Sequence, residues 1–434
     1  MKIVISSILL GILLSTTAHA QTSRQIQGSD IQNLGITATG STTARSLADR
    51  AADIINGKDF GMVCNGTIDD GSALNAAIAA AEANGKKVVL PAGTCVIDAS
   101  SLAIVINKPV TIQGQGMWGT ILSLKSGSIN PLFTVSVTTL TFNPSSGEPA
   151  QIAISDLQII SPNRSDASGQ SVAHGIMLIN QVSHYHATRV FLSNVLLGGV
   201  PGDGLRCGGT QGGGTGGFDG WVEAHGVIIQ YPGGIGYNSN SCTDGRWFGG
   251  EIAGTAGTND GLLLAGTSSM IFDGVNLYSN GGYDVEIYQS DKTVISNSTL
   301  DLTNYANLEV NLIAGQRVDI IGSTLRWASA QSNLFYGNID VSSSNAGNVY
   351  LTADIFPTPA SSPSSNKPLN NVHIIAGNTG FVYVGDATRF DLGPLGTAGI
   401  TNDTAHLVPA GVGLSCSGTP TSSFASINGI VTHC

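Results

Sequence analysis

Trp221, Glu223 and His225 stand at alternate positions of Asp219-Gly-Trp-Val-Glu-Ala-His-Gly-Val-Ile228. Alternate side chains of a strand share a face. With Val222, Ala224, Gly226 and Ile228 turned inward, these three therefore point outward together. An indole ring stacks on a sugar ring, and a carboxylate beside an imidazole moves protons. Asp244-Gly-Arg246 follows at the interval at which the chain repeats itself, and Asp203 lies in the phrase before. The Gly-rich stretch 208–217 interrupts the chain beside this set, where a binding loop would sit. The set reads as a glycan-cleaving site. Glu223, His225, Asp203 and Asp244 would be its acid–base groups, and Trp221 and Arg246 would hold the sugar. The plainer alternative is a partly packed aromatic strand face.

A second set lies further along, in Tyr283-Asp-Val-Glu286-Ile and Asn307-Leu-Glu309-Val. With Val285 and Leu308 inward, Glu286 and Glu309 point outward, one repeat interval apart. If that interval is one coil of a stack, the two sit side by side, about 4.8 Å apart. Adjacent carboxylates repel, and one pKa rises. Such a pair suits a retaining glycosidase, which needs about 5–5.5 Å between carboxyls, a subsite holding the sugar, or a cation. With no groove over them they are two solvated surface charges. His184 and His186 read as strand-edge histidines. No CxxC is present and the histidines lack ligand spacing, so no metal centre is expected.

The elements that must position these residues are visible as a repeat. Arg246-Trp-Phe-Gly-Gly-Glu-Ile252, Ile271-Phe-Asp-Gly-Val-Asn-Leu277, Val294-Ile-Ser-Asn-Ser-Thr-Leu300 and Asp319-Ile-Ile-Gly-Ser-Thr-Leu325 recur at an interval of roughly two dozen residues. Short alternating phrases at that period mark a solenoid whose coils must stack to bury their inner faces. Gly, at 57 of 434 residues, is about twice as common as usual, while charged residues, at 11%, fall well below the usual ~25%. Both fit tight turns and faces that meet other coils rather than water. The reading is an all-β parallel β-helix.

Residues 1–20 read as a signal peptide: Lys2, an apolar run Ile3 to Leu14, and Ala18-His-Ala20 before the cut. That run is short for a bilayer span and no later one is long enough. The expectation is secretion, periplasmic or extracellular, with no membrane partner. Oxidising compartments favour disulfides. Chain order favours Cys64–Cys95, Cys207–Cys242 and Cys416–Cys434, with the last best supported and the middle one least. Residues 21–55 form a polar arm or neck with a short helix in 43–50. Residues 56–385 carry the β-helix, opened by a capping helix over 71–83 that Asp69 and Asp70 cap and Asn84-Gly85 ends. Residues 386–434 form a C-terminal cap or tail closed by cysteines.

Lys58-Asp-Phe-Gly61, Asn65-Gly-Thr-Ile-Asp-Asp70, the Ala-rich helix, Val88-Val-Leu-Pro-Ala-Gly-Thr94 and Val110-Thr-Ile-Gln-Gly-Gln-Gly116 resemble the opening of the pectate-lyase-like superfamily. Its members are right-handed single-stranded parallel β-helices (the pectin-lyase fold) and include pectin- and rhamnogalacturonan-degrading enzymes and phage tailspikes. Residues 43–61 are similar to the neck of tailspike and prophage-derived proteins. The resemblance implies polysaccharide binding, often cleavage, and in its tailspike branch a homotrimer. It supplies no catalytic set. The Asn-Thr-Asp, Gly-His-Gly and Arg-x-Lys of polygalacturonase-like members are missing, with Ala224-His225-Gly226 and Gly202-Asp203-Gly204 in their stead. The Asp69-Asp70 pair lies in the opening unit.

Net charge is −11 with 18 Lys plus Arg, and −12 once Lys2 is removed. A polyuronate lyase must neutralise its substrate with Ca²⁺ and basic groups, so hydrolysis of a neutral or mildly acidic plant or bacterial cell-surface glycan fits better. Nucleic acid is disfavoured. The function expected is a secreted glycoside hydrolase without a cofactor. The alternatives are a non-catalytic glycan-binding or tailspike-like surface protein, and a polysaccharide lyase, for which Ca²⁺ would be recruited.

Overall fold

In a computed structural model of the protein, the recurring phrases pair as parallel strands with their equivalents one coil away. The structure describes residues 33–100, 104–136, 150–162, 173–179, 188–208, 218–240, 242–301, 305–326, 338–356, 372–375, 379–385 and 388–390, and short strands at 400–402, 407–409, 426–427 and 430–431. The expected signal segment, the start of the arm, His184, His186, the Gly-rich stretch 209–217, Cys416 and Cys434 lie outside these residues.

Each regular coil has three faces. A long strand such as Cys242–Phe248, Ser269–Asp273, Lys292–Ser296 or Arg317–Ile321 turns a corner into a short one, such as Glu251–Ala253, Asn276–Tyr278 or Thr299–Asp301. A loop then leads to a strand of an 11-stranded sheet running from Ile104–Ile106 to Ile400–Asn402. Ile229, Ile252, Leu277, Leu300 and Leu325 pair in one inward column. All five are buried. The residues that end the sequence repeat are thus the ones that stack, and their burial is what makes the period legible. A second inward column, Leu262, Val285 and Leu308, fixes which side of the 11-stranded sheet faces out.

The corners need a left-handed backbone. Between long and short strands it falls on Gly226, Gly249, Gly274, Asn297, Gly322 and Ala353, with φ from 50° to 68°. Glycine and asparagine tolerate this region best. Beneath that corner the side chains Ser298, Ser323 and Asp354 each accept the backbone N–H of the coil before, from Val275, Ser298 and Ser323 (3.1, 3.2 and 2.8 Å).

The helix Gly71–Asn84 buries Leu74, Ala77, Ile78 and Ala81 and ends at Gly85, φ 61°. Asp69 and Asp70 divide the capping task differently from the expectation. Asp69 accepts the Gly71 N–H at 3.0 Å. Asp70 makes no side-chain bond to the helix, because its buried carboxylate takes the N–H groups of Val63 and Cys64 (2.6 and 3.1 Å). Strand stacking also continues past residue 385, to Leu407–Pro409 against Phe381–Val384, so the expected boundary there does not end the coils. The chain divides into two compact units, 1–54 and 55–434. In the first, Gly35–Thr37 pairs antiparallel with Ala44–Ser46, and Ser46 caps the helix Leu47–Ala51.

Cys64 is bonded to Cys95 and Cys207 to Cys242. The second bridge joins the end of one strand of the 11-stranded sheet to the start of the long strand in the next coil. Cys207 pairs with Ser239, just short of Cys242 in the chain, so the corner itself brings the thiols together. Cross-linking loops of 31 and 35 residues removes unfolded-state entropy worth about 3–4 kcal/mol each on the chain-entropy account. Replacing Cys207 and Cys242 together by alanine should lower stability by about 2–4 kcal/mol in denaturant melts followed by circular dichroism.

Candidate functional site

The long-strand face carries the first predicted set. Trp221, Glu223 and His225 lie on Phe218–His225 and project to the same side, with Val222 and Ala224 buried between them. His225 Nε2 and Glu223 Oε1 are 2.8 Å apart, and the imidazole stacks on Phe248 of the next coil, centroids 5.0 Å apart. Asp244 pairs in register with Trp221, and Arg246 with Glu223. The structure thus brings five of the expected residues together.

The ring of Trp221 is not offered to a ligand as expected. Arg189 pairs with Trp221 on one side, and its guanidinium carbon lies 4.8 Å from the ring centroid. Arg246 approaches to 4.5 Å. Cation–π attraction holds both, so Trp221 organises two exposed guanidinium groups. Lys292 and Arg317 extend the same column. The face mixes charges: Asp244 and Ser269 separate Trp221 from Lys292 in that column, Glu223 stands beside Arg246, and Arg317 is paired with Asp319.

Asp203 is elsewhere. It is buried in the turn that leads into Leu205–Cys207, a strand of the 11-stranded sheet. Its Oδ1 accepts the Ile235 N–H (2.8 Å), and its Oδ2 accepts from Arg206 and Asn238 (3.1 Å each). Gly234 passes so close that a Cβ there would strike this carboxylate. These bonds make Asp203 a fastener between coils and remove it from the Glu223 group.

The outward column of the same sheet runs Met177, Arg206, Asn238, Leu263, Glu286, Glu309, Asp340. Glu286 and Glu309 are direct neighbours in register. Asp260 joins them, a residue that reading the sequence missed. It is the counterpart of Asp203, with Oδ1 taking the Tyr283 N–H at 2.8 Å and Gly282 crossing close by as Gly234 does. The neighbours differ. Where Asp203 meets Arg206 and Asn238, Asp260 meets Glu286. Burial, at 8% exposure, and then the hydrogen bond and charge of Glu286 push Asp260 up to about 8. Asp260 is therefore the hydrogen-bond donor and Glu286 the acceptor. Burial also raises Glu309, with the charges of Glu286 and Asp340 adding to it, against a hydrogen bond from Tyr283. The signal was present: Asp203-Gly-Leu and Asp260-Gly-Leu occupy the same place in the repeat.

Aromatic rings flank these carboxylates. Tyr288 lies two residues beyond Glu286 on the same strand, outward and exposed. Tyr283 packs on Tyr305, centroids 5.4 Å apart. Among the described residues, one group offers metal-ligand spacing, Cys64, Asp70 and Cys95. Its two sulfurs are spent on a disulfide, so it is not a metal site.

A family model described as rhamnogalacturonase A/epimerase, pectate lyase-like, matches residues 54–188. No curated protein matches the chain. Among solved structures it is similar to the enzymatically active domain of tailspike protein 2 of bacteriophage CBA120, at 14% identity and TM-score 0.55, over 82% of this chain and 50% of that one. It is similar to the Dettilon tailspike protein at 15% identity and TM-score 0.53, over 88% and 68%. It is also similar to ORF18 of Geobacillus virus E2 at 14% identity and TM-score 0.50, over 84% and 61%. The chain thus spans between half and about two thirds of these proteins, and at such identity the likeness is one of fold. Coil geometry, opening motif and the family match over residues 54–188 agree on one fold, a pectate-lyase-like right-handed parallel β-helix.

Proposed function

We propose that the protein is an exported glycoside hydrolase whose chemistry is done on the 11-stranded sheet by Glu286 and Glu309, with Asp260 behind them. The observation that carries this reading is the cluster itself: Glu286 and Glu309 are neighbours in register, and Asp260 is hydrogen-bonded to Glu286. Asp260, pushed up to about 8, is hydrogen-bonded to Glu286, which we assign as the nucleophile. Raised Glu309 is the better proton donor. Neighbouring strands are about 4.8 Å apart, close to the ~5–5.5 Å between carboxyls of a retaining enzyme. Glu309 then protonates the glycosidic oxygen as Glu286 attacks the anomeric carbon and the leaving sugar departs. Water, deprotonated by Glu309, next cleaves the glycosyl ester and restores Glu286. Tyr288 and the Tyr283–Tyr305 pair supply ring faces for the sugar. Among described residues no helix is long and apolar enough to cross a membrane, and the two disulfides suit an oxidising compartment.

The test is reducing-end release from a panel of cell-surface and plant glycans. Glu309→Gln and Glu286→Gln should each lose about 10²–10⁴-fold in kcat, whereas Glu223→Gln should retain most activity. Loss in Glu223→Gln with Glu309→Gln intact would move the chemistry to the long-strand face. Release of a product absorbing as an unsaturated uronide would make the protein a lyase. Glycan binding without release would leave the binding-protein alternative.

The same protons govern stability. Burial raises Asp354 to about 7 as well. Each of these carboxyls binds its proton more tightly folded than unfolded, where carboxyls titrate near about 4. Their contribution is full below about pH 4 and is lost as pH rises toward about 8. Thermal midpoints should therefore fall between pH 4 and 8 and level above. Glu286→Gln should flatten the upper part of that curve.

A further inference from the structure

In four coils the corner that ends the short strand falls on Gly199, Tyr231, Gly254 and Ser279, all left-handed, φ 61°, 53°, 69° and 55°. Small residues hold this corner in three coils, and a tyrosine holds it in the fourth. A bulky side chain is strained there, and burial does not compensate, because Tyr231 remains 54% exposed. One edge of its ring packs against Gly254 of the next coil. A Cβ at Gly254 would come within 2.6 and 2.7 Å of ring carbons Cδ1 and Cε1, so only glycine lets the ring settle. The ring is thereby held by its edge at the surface.

Beside it on the short-strand face stands a fixed polar set. Gln230 Nε2 donates to Glu251 Oε1 at 2.6 Å, and the Tyr278 hydroxyl donates to the same oxygen at 2.7 Å. That bond, then burial, pushes Tyr278 up to about 12, and Tyr231 is near enough to add to the effect. Ala253, between Gln230 and Tyr278 in register, is too small to crowd them. Both bonds fall on one oxygen of Glu251, so the other can accept hydroxyl groups.

We propose that Tyr231, Glu251, Tyr278 and Gln230 form a second saccharide-binding site, on the short-strand face, for an uncharged pyranose. The sugar ring stacks on Tyr231, and adjacent hydroxyls bond to Glu251. The site is separate from Glu286 and Glu309 and holds the polymer rather than cutting it, so it stands whether or not those carboxylates are catalytic.

The test is native electrophoresis of the full chain through gels containing galactomannan, arabinoxylan, mixed-linkage β-glucan or dextran. At least one of these should retard the wild type. Tyr231→Gly should bind about tenfold more weakly, the loss of a single stacking contact, and Tyr231→Phe should keep most of the retardation. Tyr231→Gly should also melt at or above the wild-type temperature, because it relieves the corner. Retardation by none of the four, retardation unchanged in Tyr231→Gly, or a clearly lower melting temperature for that variant would overturn the site. Reducing-end release reports separately on Glu286 and Glu309, so either reading can fail alone.

Discussion

Backbone hydrogen bonds between coils hold one register along the long-strand face, through Thr111, Ala153, Phe191, Glu223, Arg246, Ile271, Val294, Asp319, Tyr350, Tyr383 and Val408. Parallel pairing at about 4.8 Å leaves each side chain little choice of neighbour. What a residue does is set by what stands one coil above and one coil below. Core packing obeys the same rule, as the column ending in Leu325 shows, and so does every polar arrangement on the surface.

Charge is where this constraint has chemical effect. A helix surface would let two glutamates swing apart, but a ladder holds Glu286 against Glu309. The fate of Asp203 and Asp260 shows how little sequence change this takes. Both accept a backbone N–H from the next coil, and both need a glycine close by. With an arginine and an asparagine at its other oxygen, the first is a fastener. With a glutamate there, the second becomes a buried acid that keeps its proton.

Much of this is legible in the sequence. The apolar period marks the coils and puts Glu286 against Glu309, because inward residues are buried and so must be apolar. Chain order points to the pairing of Cys207 with Cys242, although it does not show the corner that enforces it. Two expectations meet a different geometry, each for a physical reason. Closeness in sequence groups Asp203 with Glu223, while the corner between them sends the two to different sheets. Alternation alone gives Trp221 to a sugar, because its partner Arg189 lies one coil back across an interval longer than the clean period. Asp260 escapes notice because its importance comes from a contact with Glu286, not from its own residue type.

The left-handed corners at Asp156, Asn194, Gly226, Gly249, Gly274, Asn297, Gly322 and Ala353 stand above one another, yet their spacing along the chain is uneven. It is widest from Asp156 to Asn194 and tightest from Gly226 to Gly249 and from Gly274 to Asn297. Surplus residues are therefore carried outside the ladder. Chain length and lateral position are uncoupled here: a loop can lengthen, or a whole coil can be duplicated or lost, and the remaining faces still align. Such a scaffold can acquire a new specificity by inserting residues at its rim, without renegotiating the core that supports it.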